Sequence, residues 1–97
     1  MTKRDQQLQE QRVKLAKTRS CVYFAMTFLD AYLETNKDRE HEDKGNELYF
    51  DKIRESETEL DNVRAYLDQK IEAINKKLRD NFIKRMLKKE KKDERKE

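Results

Sequence analysis

No proline and only one glycine, Gly45, occur in the 97 residues, so almost nothing in the chain interrupts a helix. A glycine-rich phosphate loop is excluded for the same reason. The single cysteine, Cys21, rules out an internal disulfide and favours a cytoplasmic setting. The single histidine, His41, stands between Glu40 and Glu42. No Glu-x-x-His pair of the kind that holds a di-iron site in a helix bundle is present. Apolar residues are also scarce, at 34% against about 45–50% in an ordinary soluble domain. A spherical core is hard to build from so little in a short chain. Disorder is not the alternative, because four phenylalanines and four tyrosines accompany a regular pattern that disordered chains lack. An elongated all-α protein, with one apolar stripe and further burial through oligomerisation, satisfies these constraints.

What is abundant is charge, at 46% Asp, Glu, Lys and Arg, with one exception: CVYFAMTFLDAYL at 21–33, where eleven of thirteen side chains are apolar or aromatic. It is too short to span a membrane, which takes about 20 apolar residues, so it must be buried in protein. The start, MTKRDQQLQEQ, has no apolar core and predicts no signal peptide. Leu8, Leu15, Val22 and Leu29 recur every seven residues, with Met26 and Leu33 on the same face, and predict an amphipathic helix over 3–35. Tyr49, Ile53, Leu60, Val63, Leu67, Ile71, Ile74, Leu78 and Phe82 share one face of a second helix over 47–90. The twelve residues TNKDREHEDKGN at 35–46 contain no apolar side chain and hold Gly45, which predicts a polar turn over 36–46 with Asn46 as helix cap. Residues 91–97 read as a charged, frayed tail of a single helical domain.

The expected architecture is a long antiparallel helical hairpin, coiled-coil-like. Folding about His41 sets Leu33 against Tyr49, Leu29 against Ile53, Val22 against Leu60, Leu15 against Leu67 and Leu8 against Ile74, pairs whose numbers add to 82. A register adding to 89 fits in part but faces Tyr49 and Ile53 with Glu40 and Asn36. In either register Cys21, Phe24, Phe28 and Ala31 lie on the flank of the first helix away from the second, a separate stripe at helical spacing. Leaving two phenylalanines in water forgoes several kcal/mol of hydrophobic free energy. The expectation is therefore a homo-oligomer, first of all a symmetric dimer forming a four-helix bundle.

Charge is unevenly distributed along the chain. Residues 1–19 carry six basic and two acidic side chains (net +4), 30–62 five basic and twelve acidic (net −7), and 83–97 eight basic and four acidic (net +4). A hairpin makes the turn end acidic and the terminal end basic. At the terminal end, Phe82, Ile83, Met86 and Leu87 form an apolar cluster beside Lys84, Arg85, Lys88 and Lys89, a candidate partner-binding tip of the helix-in-groove type.

Catalytic chemistry is not legible. Cys21 lies in the apolar segment, where a thiol behaves as a small buried hydrophobe, and no base stands near it in sequence. The carboxylates read as a solvated face, none in an apolar setting that raises its pKa for acid–base work. The sequence therefore predicts a non-enzymatic interaction protein (scaffold, adaptor or inhibitor) that docks on another protein, with no cofactor, metal or small-molecule substrate. The alternative is a nucleic-acid-binding accessory protein. It would contact phosphates through Lys3, Arg4, Arg12, Lys14, Lys17, Arg19, Arg79, Lys84, Arg85, Lys88, Lys89, Lys91 and Lys92, though the net charge is only +3 and no recognition motif is present. Membrane-surface binding through FIKRMLKKEKK is weakened by the acidic residues that interrupt it.

Overall fold

The computed structural model describes the backbone of residues 2–96 and the side chains of residues 2–90. Two long helices pack against each other, α1 (Lys3–Thr35) and α2 (Lys44–Lys96), joined by a single 3-10 turn at Lys37–Arg39. Among the described residues there is no strand, and the hairpin is a rod of 82 × 16 × 16 Å. A chain with so few apolar residues meets its burial requirement along one seam rather than in a globule.

Local chemistry fixes the helix ends. Thr2 caps α1, its Oγ1 accepting from the Asp5 N–H at 3.1 Å. The backbone N–H and Nδ2 of Asn36 both donate to the Tyr32 carbonyl and close the last turn. At α2 the cap is Asp43, whose Oδ1 accepts from the Asn46 N–H at 2.8 Å, so Asn46 is not the cap expected from the sequence. A carboxylate three residues upstream reaches the free N–H groups first. The Asn46 amide instead donates back to the Arg39 carbonyl and braces the turn. Gly45 is not a turn residue either: it lies in the first turn of α2 with ordinary helical φ. α2 thus starts three residues before the expected position 47.

The seam is a strict alternation of three- and four-residue steps. On α1 and its C-cap the half-buried or buried positions include 5, 8, 12, 15, 19, 22, 26, 29, 33 and 36; on α2 they include 50, 53, 57, 60, 64, 67, 71, 74, 78 and 81. This is the a/d repeat of a two-stranded coiled coil. Cross-helix bonds set the register. Asn81 donates to Asp5, Arg12 donates to Asn75, and Arg19 donates to Asp68, pairs whose numbers add to 86 or 87. The expected register of 82 is therefore wrong by one helical turn. Leu33 lies level with Ile53, Leu15 with Ile71, Leu8 with Leu78 and Val22 with Arg64.

The reason is directional. Reversing one helix reverses the order of its three- and four-residue steps, so an antiparallel seam stays in step only when an a position faces a d position. Leu8, Leu15, Val22 and Leu29 all occupy d, and so do Ile53, Leu60, Leu67 and Ile74; they cannot face one another throughout. The true partners include Glu57 and Arg64, charged residues that an apolar pattern passes over. Phe50 enters the seam and is 2% exposed, while Tyr49, Val63 and Phe82, expected in the stripe, face solvent.

Candidate interaction surfaces

The two flanks of the seam differ. One is closed by charge. Arg19 meets Asp68 at 3.0 Å, Arg64 binds Asp61 and Asp68 at 2.9 and 2.7 Å, and Arg54 pairs with Glu40. Each is exposed enough to be worth about 0–1 kcal/mol, so together they hold register and orientation more than they stabilise. The other flank carries rings. Tyr32 packs edge-on against Tyr49 with centroids 5.7 Å apart and tilted against Phe50 at 5.9 Å.

On the side of α1 turned away from α2, the structure exposes Cys21, Phe24, Phe28 and Ala31. Phe24 is 66% and Phe28 74% exposed, values that decide the matter: α2 gives neither ring cover. Cys21 is exposed too, because the hairpin by itself does not supply the burial expected for its thiol. Residues 20–29 hold no charged side chain. Ser20 and Thr27 donate to the carbonyls of Ala16 and Tyr23 within their own helix, so the hydroxyl protons along this belt are already bonded. A shallow depression of about 240 Å³ opens between Ser20, Tyr23, Phe24 and Thr27. Tyr49, Val63 and Tyr66 of α2 extend the exposed apolar surface around the ring-bearing flank.

A second exposed cluster lies at the other end of the rod. α1 begins level with residue 83, while α2 continues to Lys96, so about 20 Å of α2 stands beyond its partner. Phe82, Ile83, Met86 and Leu87 are all about half exposed on its outer side. Below them Asp5, 2% exposed, anchors the start of α1 to α2. Asn81 donates to its Oδ1 at 3.1 Å, and Arg85 lies 2.7 Å from Oδ2. Burial pushes the Asp5 carboxyl up, but the Asn81 bond and the Arg85 charge outweigh it and hold the group below its ordinary 3.8.

The candidate phosphate contacts do not form one surface. Arg12, Arg19 and Arg85 are engaged by Asn75, Asp68 and Asp5. Lys3, Arg4, Lys14, Lys17, Arg79, Lys84, Lys88 and Lys89 are exposed at various faces of the terminal half. The side chains of Lys91 and Lys92 lie outside the described residues.

One group was missed in the sequence. Glu57 sits in the seam level with Leu29 and beside Asp30; burial raises its pKa above the ordinary 4.5, and the hydrogen-bonded Asp30 carboxylate raises it further. The signal was its a position in the α2 repeat, visible only once the register is known. His41 Nδ1 lies 3.2 Å from Glu47 in the exposed turn. Among the described residues no cluster of His, Cys, Asp or Glu could hold a metal, and no helix is long and apolar enough to cross a membrane. No protein-family model, curated protein or solved structure matches this chain.

Proposed function

We propose that this chain is a non-enzymatic interaction protein: a stiff helical rod that self-associates and docks on other proteins through its exposed apolar surfaces. The observation that carries the reading is the pair Phe24 and Phe28, about two-thirds and three-quarters exposed in a stretch free of charge. Each ring has roughly 150–250 Å² to bury, and at about 25 cal/mol per Å² the two leave several kcal/mol unused in a lone hairpin. Patches of this kind on an otherwise charged surface mark association sites, and a second copy of the same chain is the first candidate to cover one.

The test is the mass of the chain in solution. Wild type should exceed the monomer mass at micromolar concentration, while the Phe24→Ser, Phe28→Ser double variant should be a monomer of unchanged helicity. Both positions are exposed, so the hairpin survives their loss. A wild-type chain that stays monomeric up to high concentration would remove the self-association reading.

A further inference from the structure

The uncharged belt and the α2 tip have opposite electrostatic surroundings. The belt lies in the turn half, where residues 30–62 carry net −7, and the tip lies in a tail of net +4. A symmetric dimer built belt on belt with the rods parallel brings the two net −7 segments together, which costs free energy. Tip on belt reverses the sign. The cluster Phe82, Ile83, Met86 and Leu87, with Lys84, Lys88 and Lys89 beside it, presents apolar anchors and cations to a surface that offers apolar rings and carboxylates.

The two cannot meet within one chain. Phe28 is level with residue 58, and from there to the tip is about 40 Å along a continuous helix. In the repeat set by the seam, Phe24 and Phe28 occupy outward positions of α1, and the tip cluster spreads over the outward side of α2, with Phe82 and Met86 toward the ion-paired flank and Ile83 and Leu87 at the same repeat positions as Phe24 and Phe28.

We propose, building on the self-association reading, that the α2 tip of one copy docks on the belt of the next, head to tail, through a heterologous contact. The overhang of α2 makes this sterically open, because Met86 and Leu87 stand beyond the start of α1 and Phe82 and Ile83, level with it, are half exposed. The depression between Ser20, Tyr23, Phe24 and Thr27 is the socket for one of its apolar side chains. Heterologous contacts do not close on themselves at two copies and therefore generate rings or filaments. Only a handful of apolar side chains are available at each end, which places the contact among small, weak interfaces below about 1,200 Å². Assembly is accordingly concentration-dependent.

The experiment mixes two variants, each lacking one end of the contact. Phe24→Ser, Phe28→Ser removes the belt; Ile83→Ser, Leu87→Ser removes the tip. Sedimentation equilibrium follows mass, and circular dichroism verifies that each remains helical. Wild type should grow past the dimer as concentration rises. Each variant alone should be a monomer, and an equimolar mixture should give a one-to-one dimer that grows no further, since one intact belt and one intact tip remain. If the tip variant alone still dimerises and the mixture forms no heterodimer, the contact is symmetric and the head-to-tail proposal is overturned while self-association stands. If wild type is a monomer throughout, both fall. If both variants assemble as wild type does, the contact lies elsewhere on the rod and the proposal is wrong.

Discussion

Glu57→Leu should make this protein more stable, although it removes a charge from a chain that is nearly half charged. Glu57 occupies an a position of the seam, level with Leu29 and next to Asp30. Its Oε1 is buried. Full burial of a leucine is worth about 1.5–3 kcal/mol. Position 57 is half-buried, so about half of that, about 0.8–1.5 kcal/mol, is expected. In a domain of this size each kcal/mol moves the midpoint by about 4–8 °C, so Tm at neutral pH should rise by about 3–12 °C. The pH profile gives an independent reading. The folded state raises the Glu57 pKa above 4.5, so it holds the proton more tightly than the unfolded chain does. Wild type therefore gains stability as pH falls through the folded pKa toward 4.5. On further acidification it loses stability as Asp5, whose folded pKa lies below 3.8, takes up its proton. Glu57→Leu should abolish the mildly acidic gain and keep the later loss. Thermal denaturation followed by circular dichroism from neutral to acid pH, on samples of known mass, measures both. A Tm that is unchanged or lowered at neutral pH, or an acid gain that survives the substitution, would refute the placement of residue 57 in the seam.

Two more substitutions test the corrected turn and register. Asp43→Ala should cost about 1 kcal/mol, the usual worth of a side-chain cap, and lower Tm by about 4–8 °C; no loss would mean that Asp43 does not cap α2. In a Cys21→Ser background, the Leu15→Cys, Ile71→Cys pair should oxidise faster than Leu15→Cys, Leu67→Cys. The register lets the former meet and displaces the latter by four residues, about 6 Å; the opposite order of rates would restore the register adding to 82.

Composition alone determined that the chain is helical. Without proline, with one glycine and with residues of high helix propensity, the backbone has no better option, and a polar stretch between two apolar repeats can only be a connection. Sequence also located the two apolar surfaces, because a helix turns 100° per residue wherever it is and so fixes which side chains share a flank. The register was not legible. Apolar heptads on two helices fit several registers, and the reversal of step order in antiparallel packing, which sets a against d, decides among them together with the cross-helix bonds. It chose one that places Glu57 and Arg64 in the seam, against the apolar pattern, and closes one flank with Arg19–Asp68 and Asp5–Arg85. The raised pKa of Glu57 follows from the same cause, because it depends on what lies across the seam. A repeat specifies a face, but the neighbour of that face is decided by the partner helix.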